Sequence, residues 1–263
     1  MNSAVKTSID SRSHGEGPAL VAHRGDAQHY PENTLLALEM AVEAGAHYLE
    51  CDIQLTKDAV PVLLHDDNLL RTAGLDKSVF DLEFSELRGL SVGESARFGD
   101  QFQSERIISL LDLSTKLNRW PHVQSFIEIK QESIDHFGLE FTVDAILTAT
   151  ASLTTPHMLI SFNQEVVSYT KSVSDRLAGW VITDWGDESN ETIEQLAPDC
   201  VFCDYNKIPK DTDLSSLLKI DTLWVLYEVV DPEIAFHWRD QGANLIETMN
   251  VKPMLDALRD RSL

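Results

Sequence analysis

Residues 19–52 read ALVAHRGDAQHYPENTLLALEMAVEAGAHYLECD and contain one complete strand–helix–strand unit. Short apolar runs at 19–23 and 47–52 are typical of buried strands, and the segment between them, 34–44, has the apolar spacing of an amphipathic helix. A helix between two strands is the crossover that parallel strands need. This stretch therefore predicts a parallel α/β architecture.

The same alternation of short apolar runs and longer amphipathic segments continues along the chain. Eight strands are predicted, at 19–23, 47–52, 125–130, 158–162, 178–183, 200–205, 223–228 and 244–248. Helices are predicted between them at 34–44, 110–117, 139–152, 164–173, 188–196, 232–240 and 253–259. Eight strands with intervening helices, in a chain close to the ~250 residues typical of the fold, predict an α/β protein with a (β/α)8 TIM barrel. A doubly wound open sheet is the alternative.

The second unit departs from this regular pattern. Residues 61–65 follow the second strand too closely for a crossover helix, so we expect an extra strand paired with it. The polar stretch at about 67–107 is too long for an ordinary loop and is expected to be a small insertion over the barrel mouth. We expect residues 1–17 to be a flexible N-terminal tail rather than a secretory signal, and residues 18–263 to form a single TIM-barrel domain.

The net charge of the chain disfavours some classes of binding partner. Its net charge is −22 at pH 7, and a field of that sign repels nucleic acid backbones and anionic membrane surfaces. We therefore expect no nucleic acid partner, and an anionic substrate would need local positive charge from a cation, Arg24 or Lys130. No stretch approaches the ~20 apolar residues of a membrane span, and three cysteines do not make a disulfide framework. These features predict a cytoplasmic protein without stable membrane insertion.

Carboxylates cluster at the ends of neighbouring predicted strands. Glu50 and Asp52 are two residues apart on one strand, so their side chains point to the same face. Glu128 and Lys130 repeat this spacing on the next strand of the regular pattern, which adds a third carboxylate and a cation. In a barrel these three carboxylates would form an oxygen-rich pocket that suits Mg²⁺ or Ca²⁺ better than zinc. A solvated strand end is the alternative for the first pair alone.

Two histidines end strands beside this carboxylate cluster. His23 follows the first predicted strand, and His65 ends the extra strand. Histidine is the side chain whose ordinary pKa falls near neutrality, so the two are candidates for a general acid and a general base. A packing or capping role is the alternative for each histidine taken alone.

The order of these motifs resembles the glycerophosphodiester phosphodiesterase family. The matching motifs are H-R-G at 23–25, P-E-N-T at 31–34, E-x-D at 50–52, T-K-D at 56–58, H-D at 65–66 and E-I-K at 128–130. The resemblance implies a TIM barrel with an insertion after the H-D motif. It also implies cleavage of a small-molecule phosphodiester, a deacylated phospholipid, to sn-glycerol 3-phosphate and an alcohol.

The resemblance further implies a role for each candidate residue. It assigns a divalent cation, Mg²⁺ or Ca²⁺, to Glu50, Asp52 and Glu128, acid/base catalysis to His23 and His65, and phosphate contacts to Arg24 and Lys130. Phe162 and Trp224 lie at or near later strand ends, where we expect them to form an apolar wall against the substrate. Core packing is the alternative for Trp224. Glu32 is expected to support the site from behind, with a structural role at the helix entry as the alternative.

The chain departs from the family pattern in its second half. Trp224-Val225-Leu226-Tyr227 stands where the family has W-T-V-N, and Leu245-Ile246-Glu247-Thr248-Met249 stands where it has G-I-I-T-D. Tyr227 and Glu247 are expected to alter the preference of the leaving-group pocket. Two other functions remain open at this point: a related phospholipase D-type enzyme acting on a lysophospholipid or sphingolipid, and a non-catalytic barrel that binds a phosphate ligand.

Overall fold

The computed structural model of the protein describes residues 18–218 and 220–260. Its strands are β1 (Ala19–Ala22), β2 (Tyr48–Leu55), β3 (Pro61–Leu63), β4 (Gln124–Ile129), β5 (His157–Ser161), β6 (Leu177–Ile182), β7 (Cys200–Asp204), β8 (Leu223–Tyr227) and β9 (Leu245–Thr248). Its helices are α1 (Leu35–Ala44), α2 (Leu70–Ala73), α3 (Phe84–Leu87), α4 (Ser95–Phe98), α5 (Leu110–Leu117), α6 (Gln131–Phe137), α7 (Leu139–Ala149), α8 (Gln164–Val173), α9 (Asp187–Leu196), α10 (Pro232–Asp240) and α11 (Val251–Asp260).

Eight parallel strands close into a barrel. They neighbour one another in the order β1, β9, β8, β7, β6, β5, β4 and β2, and the pairing of β1 with β2 completes the ring. The ninth strand, β3, is antiparallel to β2, with Leu63 opposite Ile53. The prediction of a (β/α)8 barrel with an extra strand is confirmed. The alternative of an open sheet is wrong, because the ring of parallel strands has no free edge.

Alternation along the strands divides the core into two layers. In β4, Phe126 packs inside the barrel with side chains such as Phe202, whereas Ile127 packs outside against the helices. Successive side chains of a strand point to opposite faces. Glu128, two residues after Phe126, therefore points to the barrel interior.

The turn after β1 is held tightly against α1. Gly25 has a φ of +82°, and a Cβ atom there would lie 2.5 Å from the backbone carbonyl carbon of Ala37. Glycine meets both requirements because it lacks a Cβ atom. The Thr34 side chain accepts a hydrogen bond from the Ala37 N–H at 3.1 Å and caps α1. This packing fixes His23 and Arg24 at the carboxyl end of the barrel.

The structure differs from the sequence predictions at several boundaries. Helix α6 was not predicted, because its sequence QESIDHF is mostly polar and deeply buries only Ser133 and Ile134. Strand β2 continues past Asp52 to Leu55 because it pairs there with β3. Helix α11 starts before Pro253, which the first helical turn tolerates because its N–H groups lack intrahelical partners.

The segment between β3 and α5 has a small core of its own. It carries α2, α3 and α4, and its apolar side chains, among them Leu69, Val79 and Leu87, form a separate cluster. The predicted tail at 1–17 lies outside the described residues. Within the described ranges, no helix is both long and apolar enough to cross a membrane.

Candidate active site

A cavity of about 110 Å³ lies at the carboxyl end of the barrel and is charged on one side and apolar on the other. The charged side is formed by His23, Arg24, Glu50, His65, Glu128, Lys130 and Glu247. Asp52 is buried directly behind this lining, since it contacts both Arg24 and Lys130. The structure thus brings together the predicted histidines, carboxylates and phosphate-contacting cations, which come from distant parts of the chain.

Three carboxylates form the centre of the charged side. Glu50, Asp52 and Glu128 each offer an oxygen, and these oxygens lie within 4.8 Å of one another. All three side chains are buried. Asp52 and Glu128 are directly opposite in the register of β2 and β4, and Glu50 shares the Asp52 face of the strand.

Cations partly neutralise this cluster around Asp52. Arg24 Nε lies 2.9 Å from Asp52 Oδ2, and Lys130 Nζ lies 3.3 Å from Asp52 Oδ1. Asn33 also donates a hydrogen bond from Nδ2 to Asp52 Oδ2 at 2.8 Å. Burial raises the pKa of the Asp52 carboxyl, but the charges of Arg24 and Lys130 outweigh it and hold that pKa well below its usual range. Asp52 is therefore ionised at neutral pH.

The negative charges of Glu50 and Glu128 are less well neutralised than that of Asp52. Lys130 Nζ contacts Glu128 Oε1 at 2.7 Å, while Glu50 Oε2 accepts the Arg24 backbone N–H at 3.1 Å. Burial and the nearby charge of Asp52 raise the pKa of both glutamates, and that of Glu50 is raised well above its usual range. Glu50 Oε1 is buried without any hydrogen-bond partner.

The donor set fits a hard divalent cation. All three groups are carboxylates, the ligand type that Mg²⁺ and Ca²⁺ prefer. An orphaned buried oxygen on Glu50 and the mutual repulsion that raises the pKa of Glu50 and Glu128 are both relieved by positive charge at this point. The cluster is thus able to hold a metal ion.

Each histidine is held by a carboxylate through its Nδ1 atom. His23 Nδ1–H donates to Glu228 Oε2 at 2.5 Å, and His65 Nδ1–H donates to Asp66 Oδ1 at 2.6 Å. The His23 Nε2 atom is 3.9 Å from Glu50 Oε2. Such pairs fix both the tautomer and the orientation of the ring. The Nε2 atom of each ring is left available for proton transfer.

The two histidines have opposite electrostatic surroundings. Burial lowers the pKa of His23, but the negative charges of Glu247, Glu228 and Glu50 outweigh it and raise that pKa to about 10. Burial also lowers the pKa of His65, and there the effect prevails, with the positive charges of Arg24 and Lys130 acting in the same direction.

Glu32 lies behind the cavity and joins the barrel to the insertion. It accepts two hydrogen bonds from Arg71, both at 2.7 Å, and lies 3.2 Å from Arg24 Nη1. Arg71 also donates from Nε to Asp66 at 2.7 Å. The backbone N–H of Glu32 donates to Glu94 Oε1 at 2.6 Å. The structure therefore places Glu32 where it orients cations and not where it would contact a ligand in the cavity.

The apolar side of the cavity comes from the four consecutive strands β5 to β8. It is formed by Ile160, Phe162, Val181, Phe202 and Tyr227. Phe162 is 40% exposed, and its backbone carbonyl accepts the Trp180 indole N–H at 3.0 Å. Phe162 therefore lines the cavity, and its contact with a substrate stays a prediction.

Two comparisons with known sequences bear on this site. Residues 23–214 match the model of the Glycerophosphoryl diester phosphodiesterase family. The chain belongs to this family. A Glycerophosphodiester phosphodiesterase of Caldanaerobacter subterraneus subsp. tengcongensis is 36% identical over 121 residues, covering 46% of this chain and 49% of the relative. Human Glycerophosphodiester phosphodiesterase 1 is 39% identical over 90 residues, covering 34% of this chain and 27% of the relative. The matching segments thus span half or less of these relatives' length.

Solved structures support the fold of this family member. A phosphodiesterase from Oleispira antarctica, in complex with the product sn-glycerol-3-phosphate, superposes with a TM-score of 0.82 at 23% identity, covering 92% of this chain and 97% of that one. A putative glycerophosphoryl diester phosphodiesterase from Silicibacter pomeroyi superposes with a TM-score of 0.83 at 19% identity, covering 96% and 97% of the two chains. At these identities the likeness establishes the barrel fold.

Trp224 does not reach the cavity of this glycerophosphoryl diester phosphodiesterase family member. It is 3% exposed and packs outside the barrel, in the layer between strands and helices, where its ring lies 5.7 Å from that of Trp185. Tyr227, three residues later on β8, points to the opposite face and lines the cavity instead. The expectation that Trp224 forms part of the apolar wall is therefore wrong, and Tyr227 takes that position. Side chains an odd number of residues apart on a strand point to opposite faces.

Glu228 and Glu247 are site residues for which the sequence interpretation gave no defined contact. Glu247 is one of the departures from the family pattern at the last strand, and the alternation of β9 accounts for its position in the cavity. Glu228 contacts His23 across 205 residues of chain, and no local pattern predicts such a pair.

A larger cavity of about 470 Å³ lies elsewhere, between residues 205–210 and α10. Its lining includes Lys210, Glu233 and His237. None of the predicted catalytic or metal-binding residues reaches it. The chemistry assigned by the motifs therefore belongs to the smaller cavity at the barrel end.

Proposed function

We propose that this protein is a divalent-cation-dependent glycerophosphodiester phosphodiesterase. It hydrolyses deacylated phospholipids to sn-glycerol 3-phosphate and an alcohol, with a small-molecule phosphodiester as substrate and no nucleic acid partner. The proposal extends to a single catalytic domain at 18–263 with an insertion at about 67–107, acting in the cytoplasm. It rests on one observation above all: two histidines, each oriented by a carboxylate, open into the same cavity as a three-carboxylate cluster and two cations.

The phosphate belongs on the charged side of the cavity. Glu50, Asp52 and Glu128 would hold the cation, and a bound divalent cation would withdraw charge from the non-bridging phosphate oxygens and help to form the nucleophile. Arg24 and Lys130 add fixed positive charge to the same side. Their contacts with Asp52 hold both side chains in place before substrate arrives. Preorganised charge of this kind stabilises a developing oxyanion.

The histidines carry the proton transfers. One imidazole Nε2 takes the proton of the nucleophile, which is water or a neighbouring hydroxyl of the substrate; if the hydroxyl attacks, a cyclic phosphate forms and water then opens it to give sn-glycerol 3-phosphate. The other imidazole protonates the departing alkoxide. Glu228 and Asp66 keep each Nδ1 occupied, so that the proton is exchanged at Nε2 of both rings.

The packing around the cavity favours a compact ester over a lysophospholipid. A lysophospholipid would need an exposed apolar rim around the cavity mouth, whereas apolar residues of the insertion pack internally: Leu82 and Leu87 are buried in its own cluster, and Phe102 packs edge-on against Phe98. These observations support a water-soluble substrate.

The proposal is tested by hydrolysis of glycerophosphocholine and glycerophosphoethanolamine, with release of sn-glycerol 3-phosphate as the readout. Activity is expected with Mg²⁺ or Ca²⁺ and not with chelator. His23→Ala and Glu50→Ala are expected to lose a factor of ~10² to 10⁴ in rate, while His122→Ala, a change at an exposed histidine outside the cavity, serves as the matched control. Equal activity of wild type, His23→Ala and Glu50→Ala would reject the proposal, and saturable binding without product would favour a non-catalytic barrel.

A further inference from the structure

Glu247 occupies the boundary between the charged and the apolar sides of the cavity. It lies on β9, which runs between β1 and β8 in the barrel. Its side chain lines the cavity together with His23 from the β1 end and Tyr227 from the β8 end. Glu247 is only 4% exposed, so its carboxylate faces the cavity and not bulk solvent.

One oxygen of the Glu247 carboxylate has no hydrogen-bond partner among the residues that the structure describes. Its Oε1 atom is buried without a hydrogen bond, and no lysine, arginine or histidine within residues 18–218 and 220–260 forms an ion pair with it. Buried polar groups are normally hydrogen-bonded, and a buried charge without a partner is costly. A group on the ligand is therefore the natural partner for this oxygen.

His23 interacts with Glu247 through its charge but forms no hydrogen bond with it. The Nδ1 atom of His23 is bound by Glu228 at 2.5 Å, and its Nε2 atom faces Glu50 at 3.9 Å. Both ring nitrogens are thus directed at other carboxylates. The carboxylate cluster does not account for Glu247 either, because the group of oxygens within 4.8 Å of one another consists of Glu50, Asp52 and Glu128.

The surroundings of Glu247 match one class of ligand group. A carboxylate would repel phosphate, which the positive charges of Arg24 and Lys130 attract to the other side. The wall that continues from Glu247 along β8, β7 and β5 carries the aromatic rings of Tyr227, Phe202 and Phe162. Aromatic faces combined with a carboxylate bind alkylammonium groups, through cation–π attraction and charge pairing. The net charge of −22 also favours the approach of a cationic group.

We propose that Glu247, with the aromatic rings of Phe162 and Tyr227, forms a subsite for a positively charged alcohol moiety. The enzyme therefore prefers glycerophosphodiesters whose alcohol carries an ammonium or trimethylammonium group to those with a neutral alcohol of the same shape. This specificity rests on the proposed phosphodiesterase function and adds to it the chemical class of the leaving alcohol.

The test compares glycerophosphocholine with its uncharged isostere, in which a carbon atom replaces the ammonium nitrogen. Wild type is expected to show a kcat/KM at least ~10-fold higher for the charged ester, and Glu247→Gln is expected to reduce that ratio to about 2 or less, because one charge contact is lost. Any effect of Glu247→Gln on His23 changes both esters alike and cancels in the ratio. The control is Glu165→Gln, which removes the charge of an exposed glutamate at the start of α8, on the same end of the barrel. This change should leave the ratio unaltered.

Each outcome of this experiment is decisive. Equal kcat/KM values for the two esters in wild type would overturn the specificity while leaving the phosphodiesterase function intact. That comparison uses the wild-type protein alone, so it does not depend on whether a variant folds. A Glu247→Gln variant that slows both esters equally would also overturn it. Loss of Mg²⁺ or Ca²⁺ binding in Glu247→Gln, measured by calorimetry, would make Glu247 a metal ligand instead. Absence of hydrolysis of either ester by metal-loaded wild type would reject the function and the specificity together.

Discussion

Glu228 bridges the ends of three strands by accepting hydrogen bonds from His23 and Met249. Its Oε2 atom accepts the His23 Nδ1–H and its Oε1 atom accepts the Met249 backbone N–H, each at 2.5 Å. The carboxylate follows β8, the imidazole follows β1, and Met249 follows β9. Glu228 does not line the cavity and is not part of the three-carboxylate cluster. It therefore acts as a positioning residue for His23.

Replacing Glu228 tests this positioning role. Glu228→Gln is expected to lower kcat by about 10- to 100-fold, the usual effect of losing such a supporting group, with little change in KM. It should also lower the pKa of His23, because the neutral amide removes one of the negative charges that raise it. A kcat/KM profile against pH checks both points, with Asp184→Asn, an exposed change at the end of β6, as control. An unshifted profile with an intact rate would contradict the assignment.

Metal binding is expected to stabilise the fold. The buried carboxylates of Glu50, Asp52 and Glu128 repel one another, so a cation that binds only the folded state adds about 2.7 kcal/mol at a hundredfold excess over its Kd. For a chain of this length that raises Tm by roughly 5 °C or more. Thermal unfolding with Mg²⁺, Ca²⁺ or chelator measures the shift. Glu50→Gln should largely lose it, and a full shift in that variant would place the cation elsewhere.

The turn at Gly25 is expected to tolerate no side chain. Gly25→Ala places a Cβ atom 2.5 Å from Ala37 and also imposes a φ of +82° on alanine, for a cost of about 3 kcal/mol or more in the free energy of unfolding. Gly74→Ala separates the two effects. Gly74 has a φ of +69° but nothing lies within 4 Å of its would-be Cβ atom, so the expected cost is only about 1–2 kcal/mol. Urea unfolding of both variants measures the difference, and equal costs would contradict the tight contact.

His157 is expected to make the fold sensitive to acid. Burial lowers its pKa to about 4, outweighing the hydrogen bond to the Thr155 carbonyl, with the charge of Arg176 adding to the effect. A depressed pKa means that the unfolded chain takes up the proton first. Stability is therefore complete above pH 6.5 and falls as the pH drops towards 4, by about 2 kcal/mol between pH 7 and pH 5.

His157→Gln provides the comparison for that pH dependence. Glutamine has an N–H group for the Thr155 carbonyl and no proton to gain in this range. The free energy of unfolding of His157→Gln, measured by urea titration, should fall less between pH 7 and pH 5 than that of wild type. Parallel losses in the two proteins would show that other groups cause the acid sensitivity.

The sequence predicted the fold and the charged side of the cavity because both follow from local patterns. The two-residue spacing of Glu50 and Asp52 sets their common face, and the strand order brings Glu128 beside them. The same alternation separates Trp224 from Tyr227, and nearness to a strand end does not distinguish the two. Helix α6 was missed because tertiary contacts stabilise a mostly polar segment.

Contacts made beyond the strand ends could not be predicted. The His23–Glu228 pair and the hydrogen bond from Glu32 to Glu94 join loops whose paths depend on the whole barrel.

The charged and apolar sides of the cavity come from different strands, so their sequences can vary separately. The groups proposed for proton transfer and metal binding come from β1, β2 and β4, which are neighbours in the ring, and from β3, which pairs with β2 outside it, while β5 to β8 supply mainly apolar side chains. Substitutions of the cavity-lining side chains on β5 to β8 can change the shape of the apolar side while leaving His23, His65 and the three carboxylates in place. The reacting groups and the shape of the apolar side are therefore encoded by separate stretches of the chain.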